Sequence, residues 1–167
     1  MERPVALVGY MGSGKSAVGR SLARKLGWRF VDLDRTISKE AGCGISEIFE
    51  HFGEERFRDL EHRALVATLD EAPRRVVACG GGVILRPENR ERLGKAATVF
   101  LREDLGVLYR RTRGSRRPLR GASREEFDRR YAERLPFYEE VADLEVAIRG
   151  RPPKQVAEDI ARWLLSA

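Results

Sequence analysis

Residues 9–16 read Gly9-Tyr10-Met11-Gly12-Ser13-Gly14-Lys15-Ser16 and match the glycine-rich phosphate loop G-x-x-x-x-G-K-[ST] at every fixed position. Glycines let the backbone fold into a nest of inward N–H groups that approaches a polyphosphate closely, and the helix N-terminus that follows adds partial positive charge. Lys15 supplies a mobile charge for the β- and γ-phosphates, and Ser16 supplies a hydroxyl for Mg²⁺. The segment therefore predicts a site for a polyphosphate with Mg²⁺.

The segments on either side of this loop favour the same interpretation. Val5-Ala6-Leu7-Val8 is a continuous apolar run that ends at Gly9, as expected of a strand buried on both faces. After the loop, apolar residues recur every four positions and Gly27 stands where a helix C-terminal glycine belongs. The alternative is a glycine-rich turn without a ligand, but strand, loop and helix in this order favour phosphate binding.

The rest of the chain alternates apolar segments with helical patterns. We predict four more strands, at 28–34, 76–79, 98–101 and 144–148. Helical periodicity, capping residues and a first-turn proline predict helices at 35–41, 46–52, 54–69, 87–93, 104–111, 123–141 and 154–165. Strands that alternate with helices need crossover connections, so we expect an α/β fold with a mainly parallel sheet and helices on both faces.

Parallel sheets bind ligands at the carboxyl ends of their strands. This rule places the phosphate loop, Asp32 with Asp34, and the glycines at 80–82 on one rim. A phosphoryl transferase needs a carboxylate for Mg²⁺ and often another to orient or deprotonate the acceptor hydroxyl. The residues leave two alternatives open, which are a helix N-cap for Asp34 and a surface charge for Asp32.

The third strand lacks the aspartate that ends the equivalent strand in many phosphate-loop ATPases. It ends at Cys79, which Gly80-Gly81-Gly82 follows, so Asp32 is the available metal carboxylate. The three glycines form either a plain turn or a surface where a substrate contacts bare backbone N–H groups. The chain also has no D-x-x-G or N-K-x-D element, which argues against a switch GTPase.

Length and composition favour one cytoplasmic domain. A chain of 167 residues is the size of a single domain, 1–167, with a core of its own. No apolar run is long enough to span a bilayer, and the N-terminal residues lack an apolar signal region. Cys43 and Cys79 have neither metal-ligand spacing nor the density of a disulfide framework, so we expect reduced, structural thiols.

The formal charge of +6 raises the question of nucleic acid as a partner. Much of the positive charge is arginine clustered at 109–120, which departs from the pattern of one amphipathic helix face. Arginine suits small anionic ligands as well as nucleic acid, and no aromatic stacking platforms accompany the basic segment. We expect neither a nucleic acid nor a membrane as a partner.

Taken together, the motifs resemble those of the shikimate kinases. The matching features occur in family order over nearly the whole chain: the phosphate loop, Asp32-Leu33-Asp34, Phe57-Arg58 with Glu61, Gly80-Gly81-Gly82, Arg117-Pro118-Leu119 and Arg134-Leu135-Pro136-Phe137-Tyr138. The resemblance implies a P-loop nucleoside-monophosphate-kinase-like fold, with a five-stranded parallel sheet, a substrate-binding region at 33–61 and a mobile lid at 112–124. It also implies transfer of the ATP γ-phosphate to the 3-hydroxyl of shikimate, which gives shikimate 3-phosphate and ADP in aromatic amino acid biosynthesis.

The resemblance implies roles on the nucleotide side. The residues that would contact ATP are Gly12, Ser13, Gly14, Lys15, Ser16, Ala17, Arg111, Arg117, Arg151 and Pro153. Lys15 and the lid residue Arg117 would act in catalysis, and Arg111, Arg151 and Pro153 would lie on the adenine side. Ser16 and Asp32 would bind Mg²⁺, the latter through water.

The resemblance also implies roles on the acceptor side. Asp34 would hold the acceptor hydroxyl and serve as the base. Arg58 and Arg134 would bind the substrate carboxylate, with Glu61 orienting Arg58. Gly80, Gly81 and Gly82 would contact substrate hydroxyls. Phe49 and Phe57 would pack against the ring of the substrate. A small hydroxylated carboxylate needs fork-shaped cations and hydrogen-bond acceptors of this kind. We expect a monomer with ATP and shikimate as its partners.

Other interpretations of the sequence remain open. A kinase of the same fold could act on another hydroxy acid such as gluconate, although Asp34, Arg58, the glycines at 80–82 and Arg134 together argue against it. A basic, nucleotide-dependent nucleic-acid-binding module is a further alternative. Arg58 could be a helix-surface charge paired with Glu54 or Glu61, and Arg134 could be one likewise. The chain departs from the family pattern at Arg120, where an apolar residue is expected, and at Ala17, where a hydroxyl is frequent.

Overall fold

The computed structural model describes residues 3–115, 121 and 123–167. Its strands are β1 (Val5–Val8), β2 (Arg29–Asp32), β3 (Arg75–Ala78), β4 (Ala97–Arg102) and β5 (Leu144–Ala147). They form one parallel sheet in the order β2-β3-β1-β4-β5. The helices are α1 (Lys15–Leu26), α2 (Leu33–Ala41), α3 (Ile45–Glu71), α4 (Pro87–Leu93), α5 (Leu105–Arg111), α6 (Arg124–Val141) and α7 (Pro153–Ser166), and a 3₁₀ turn that the sequence did not predict spans Val83–Leu85. The predicted five-stranded parallel sheet is confirmed.

Helices cover both faces of the sheet because successive residues of β1 point to opposite sides. Val5 and Leu7 pack against α1 and α7, in a cluster that includes Leu22. Ala6 and Val8 pack on the other face, against residues from α2, α3, α4 and α6. Each fully buried Val or Leu in these clusters contributes about 1.5–3 kcal/mol to folding. The prediction that the apolar run of β1 forms a strand buried on both faces is therefore confirmed.

The helix after β2 begins earlier than the sequence predicted. α2 starts at Leu33, and the side chain of Asp32 caps it by accepting a hydrogen bond from the Arg35 N–H at 3.3 Å. The alternative that made Asp34 the N-cap is therefore wrong. Leu33 is fully buried, and the helical backbone begins at this residue, where the sequence predicted that the strand continues. Asp34 consequently lies in the first turn of α2.

α3 is bent at the place where the sequence predicted two separate helices. Gly53 has φ 82 and ψ 170, which interrupts the helical backbone between Ile45 and Glu71. The first half carries Phe49, and the second half carries Phe57, Arg58 and Glu61. The bend therefore separates two helical segments that both supply predicted site residues.

Part of the predicted lid lies outside the described residues. These positions are 116–120 and 122, and Arg117 is among them, so its role stays a prediction. The domain limits 1–167, the substrate-binding region 33–61 and the lid 112–124 also stay predictions. Every helix in the described part of the chain is too short or too polar to cross a membrane.

Candidate active site

A cleft of about 950 Å³ opens at the carboxyl ends of the strands. Most of the predicted site residues line it: Gly12, Gly14, Lys15, Ser16, Ala17, Asp32, Asp34, Phe49, Phe57, Arg58, Glu61, Gly80, Gly81, Gly82, Arg111 and Arg134. Of the predicted site residues that the structure describes, Ser13, Arg151 and Pro153 do not line the cleft. The cleft therefore lies at the edge that the rule for parallel sheets predicts, and it combines segments that follow β1, β2 and β3 with residues from five helices, α1, α2, α3, α5 and α6.

The phosphate loop is wrapped around the Lys15 side chain. Lys15 Nζ donates hydrogen bonds to the carbonyl oxygens of Gly9 and Tyr10, at 2.8 and 3.1 Å. Gly12 and Gly14 have φ 84 and 85, in the left-handed region that residues with side chains rarely adopt. α1 begins immediately after Gly14, and the N–H groups of its first turn have no acceptor within the helix. These N–H groups, the helix dipole and one ammonium group make this end of the cleft suited to a polyphosphate.

Ser16 and Asp32 form a pair of oxygen donors beside the loop. Ser16 Oγ donates a hydrogen bond to Asp32 Oδ2 at 2.8 Å, which joins the start of α1 to the end of β2. Mg²⁺ is usually bound by one or two protein oxygens together with waters and substrate phosphates. A hydroxyl beside a carboxylate, next to a phosphate loop, fits that requirement. Asp32 is thus both a helix cap and a suitable metal ligand.

Arg58 is held in the cleft wall by a buried carboxylate. Its side chain is 8% exposed, and its two Nη atoms donate to Glu61 at 2.8 Å and to Glu54 at 3.3 Å. Burial raises the pKa of Glu61, and the charge and hydrogen bond of Arg58 partly offset this rise. The predicted pairing of Arg58 with these acids is present, but the alternative that placed Arg58 on the helix surface is wrong.

Asp34 and Glu61 converge on Gly80. A Cβ atom on Gly80 would lie 2.8 Å from Glu61 Oε2 and 3.1 Å from Asp34 Oδ1. A Cβ atom on Gly82 would lie between 2.4 and 2.6 Å from three atoms of the Arg58 guanidinium. None of the glycines at 80–82 has a positive φ, so Gly80 and Gly82 are needed for close approach and not for an unusual turn, whereas a Cβ atom on Gly81 would lie 3.5 Å or more from its neighbours.

Arg134 reaches the cleft from α6 and is 5% exposed, so the alternative of a surface charge is wrong. Its guanidinium lies over the Tyr10 ring, 5.7 Å from the centroid, and hydrogen-bonds Tyr138 one turn along the helix. Tyr138 donates its hydroxyl to the Gly81 carbonyl. Burial raises the pKa of Tyr138, which keeps this hydroxyl protonated as a donor. Tyr138 therefore connects the cation to the glycine segment.

Two aromatic rings from the halves of α3 form an apolar wall of the cleft. The centroids of Phe49 and Phe57 lie 4.8 Å apart, and the rings are tilted by 39°. The Arg58 guanidinium lies 5.2 Å from the Phe57 centroid. An apolar wall with cations and carboxylates around it suits a small ring that carries hydroxyl and carboxylate groups.

The two arginines predicted for the adenine side, Arg111 and Arg151, have different partners in the structure. Arg111 Nη1 donates to the Gly12 carbonyl at 3.2 Å, so α5 is attached to the phosphate loop. Arg151 donates to Asp159 at 2.5 Å and to the carbonyl oxygens of Ala147 and Ile148. Its guanidinium stabilises the turn between β5 and α7, and its predicted contact with ATP stays a prediction.

Sequence reasoning missed several polar residues of the cleft, which are Arg20, Arg35, Ser38 and Ser46. Arg20 and Ser38 stand four residues after Ser16 and Asp34 on α1 and α2. Residues at this spacing share one face of a helix, so the signal was present in the sequence.

The chain matches the family model of shikimate kinase over residues 11–165. It is 41% identical to a shikimate kinase of Thermodesulfovibrio yellowstonii over 162 residues, which are 95% of this chain and 92% of that protein. A shikimate kinase of Geobacter sulfurreducens is 42% identical over 97% of this chain and 91% of its own length. The solved structure of a shikimate kinase from Acinetobacter baumannii in complex with shikimate has a TM-score of 0.94 at 34% identity, and the match covers 98% of this chain and 93% of that one. The predicted P-loop nucleoside-monophosphate-kinase-like fold is confirmed by this likeness.

Proposed function

This chain belongs to the shikimate kinase family, and from that membership and the cleft we infer that it transfers the γ-phosphate of ATP to the 3-hydroxyl of shikimate. The products are shikimate 3-phosphate and ADP. The observation that carries this function is one cleft that joins a phosphate loop to two buried arginines and an aspartate. A gluconate kinase of the same fold is not favoured, since the family model and the relatives above are shikimate kinases.

On the donor side, we propose that residues 12–17 and Lys15 Nζ bind the ATP phosphates. Lys15 is placed to exchange its carbonyl partners in the loop for phosphate oxygens, because both kinds of oxygen lie within reach of one mobile ammonium group. We also propose that Arg111, which lines the cleft and donates to the Gly12 carbonyl, contacts the nucleoside. Contacts of Arg117, Arg151 and Pro153 with ATP rest on the resemblance alone.

We propose that Ser16 and Asp32 hold Mg²⁺ with the nucleotide, as their shared hydrogen bond and oxygen chemistry suggest. When bound, Mg²⁺ neutralises charge on the β- and γ-phosphates. The Asp32 carboxylate also caps α2, so it is held in place before any ligand arrives.

On the acceptor side, we propose that Arg58 and Arg134 bind the shikimate carboxylate, because both guanidinium groups are buried in the cleft wall. The Phe49 and Phe57 rings would pack against the shikimate ring. The glycine segment at 80–82 also lines the cleft, where its backbone would contact the substrate hydroxyls.

In the proposed reaction, the 3-hydroxyl oxygen of shikimate attacks the γ-phosphorus. The bond from that phosphorus to the β–γ bridging oxygen breaks, and ADP leaves with the electron pair. Asp34 accepts the hydroxyl proton. Lys15 stabilises the negative charge on the phosphate oxygens, and the fixed N–H groups of the loop need no rearrangement to do the same.

The test of this function is the formation of ADP by the purified chain with ATP, Mg²⁺ and one acceptor at a time. We expect turnover with shikimate and none above background with quinate or gluconate. Phosphorus NMR of the product should place the phosphate on the 3-oxygen, and a Lys15→Ala variant measures contaminating ATPase. Absence of shikimate-dependent turnover would contradict the proposal. Stimulation of ADP formation by DNA or RNA would support the nucleic-acid alternative.

A Gly82→Ala substitution tests the role of the glycine segment. The added methyl group would occupy the position of the Arg58 guanidinium, which Glu61 and Glu54 hold in place. We expect the KM for shikimate to rise about tenfold, the equivalent of one displaced charged hydrogen bond, with an unchanged KM for ATP. The matched control is Gly44→Ala, where φ is −70 and the nearest atom to an added Cβ is 3.6 Å away. A wild-type KM for shikimate in Gly82→Ala would contradict this role.

We propose that the chain works as a monomer in the cytoplasm. All the residues assigned above belong to one chain, so a second copy is not required for the reaction. Cys43 and Cys79 are unpaired thiols, as expected for a reducing compartment, and burial raises the pKa of Cys79, which makes it unreactive. Sedimentation analysis of the purified chain would measure its oligomeric state.

A further inference from the structure

We propose that Glu103 is a positioning residue for the nucleoside half of ATP, a role that rests on the function proposed above. Glu103 follows β4 directly, and its side chain is 2% exposed. A buried carboxylate at the rim of a nucleotide site needs partners, and those partners identify what it does.

The Glu103 carboxylate joins three separate parts of the chain. Oε1 accepts a hydrogen bond from the Asp104 N–H at 3.0 Å, at the start of α5. Oε2 accepts one from the Gly150 N–H at 3.2 Å and lies 3.5 Å from Arg111 Nη2. Arg111 in turn donates to the Gly12 carbonyl. One side chain therefore connects the phosphate loop, α5 and the turn between β5 and α7.

The strand order shows which part of ATP these groups would meet. The phosphate loop follows β1, which lies between β3 and β4 in the sheet. The groups proposed for the acceptor, Asp34 and the glycines at 80–82, follow β2 and β3 on one side. Glu103 and Gly150 follow β4 and β5 on the other side. A phosphate chain whose γ end faces the acceptor must direct its nucleoside toward β4 and β5.

The contacts of Glu103 hold two surfaces on the β4 and β5 side of the phosphate loop. One surface is the Arg111 guanidinium, which lines the cleft, and the other is the turn at Arg149 and Gly150. Arg149 has φ 50, which is unfavourable for a residue with a Cβ atom, and the bond from the Gly150 N–H to Glu103 stabilises this turn. Without the carboxylate, binding of the nucleoside would have to order both surfaces, which lowers affinity.

The test compares Glu103→Ala and Glu103→Gln with the wild-type chain. We expect Glu103→Ala to raise the KM for ATP and the Kd for ADP about tenfold, which corresponds to the loss of one charge-assisted interaction. Glu103→Gln keeps one acceptor oxygen without the charge, so it should show a smaller rise in both. In both variants kcat, the KM for shikimate and the Kd for pyrophosphate should stay at wild-type values, because the acceptor side and the phosphate loop are intact.

The matched control is Glu145→Gln on β5, which removes an exposed carboxylate that pairs with Arg102 at 3.1 Å. It should leave every constant unchanged. Wild-type ADP affinity in both Glu103 variants would overturn the proposal, as would an equal loss of ADP and pyrophosphate affinity. If Glu103→Ala does not fold, Glu103→Gln decides between these outcomes. Binding of ADP needs no acceptor, so a failure of shikimate phosphorylation would be distinguishable from a failure of this proposal.

Discussion

Replacing Asp34 with asparagine is expected to lower kcat by about two to four orders of magnitude, the usual contribution of a general base. Asparagine has the shape of aspartate, so it should keep the packing beside Gly80, where Asp34 Oδ1 lies. Its amide oxygen can still accept a hydrogen bond from a substrate hydroxyl. The amide cannot take up the proton, however, so binding should survive while phosphoryl transfer is lost.

The experiment measures kcat for shikimate phosphorylation together with the Kd values for ADP and shikimate by calorimetry. The matched control is Asp59→Asn on α3, which removes a carboxylate that pairs with Arg86 at 2.8 Å outside the cleft. We expect wild-type constants in this control. A loss of ADP binding in Asp34→Asn as large as the loss of kcat would contradict the division between donor and acceptor residues, and an unchanged kcat would exclude Asp34 as the base.

Arg58→Ala is expected to raise the KM for shikimate by about two orders of magnitude with little change in the KM for ATP. The reason is that removal of one partner from a buried, hydrogen-bonded charge pair typically costs about 2–5 kcal/mol. Here the group left without its partner is the carboxylate of the substrate, and Arg134 alone cannot replace the second guanidinium fork.

The same substitution also destabilises the fold, because it leaves Glu61 buried without its cation. An uncompensated buried charge of this kind costs about 3–5 kcal/mol, so the free energy of urea unfolding must be measured for each variant. The double variant Arg58→Ala with Glu61→Gln removes the stranded charge and should recover stability without recovering shikimate affinity. The control Arg63→Ala alters an exposed arginine on the same helix. A wild-type response to shikimate in the folded double variant would rule out Arg58 as a carboxylate ligand.

The sequence predicted most of the fold because the relevant patterns are local. The apolar run of β1, the phosphate loop and the C-terminal glycine of α1 each depend on neighbouring residues, and Gly27 indeed has φ 68. The proline at position 87 predicted the start of α4, and the predicted bounds 87–93 match the observed helix at both ends. The general rule for parallel sheets then predicted that the site residues lie together at the carboxyl ends of the strands.

By itself, the sequence determined the phosphate loop, the alternation of strands and helices, and the edge of the sheet where the site lies. It could not determine whether Arg58 and Arg134 are surface charges or buried groups, because burial depends on the packing of α3 and α6 against the glycine segment. It also gave no sign of Glu103, whose partners Arg111 and Gly150 are distant in the chain. Local geometry is encoded in adjacent residues, whereas the burial and pairing of charges are decided only when remote segments meet in the tertiary structure.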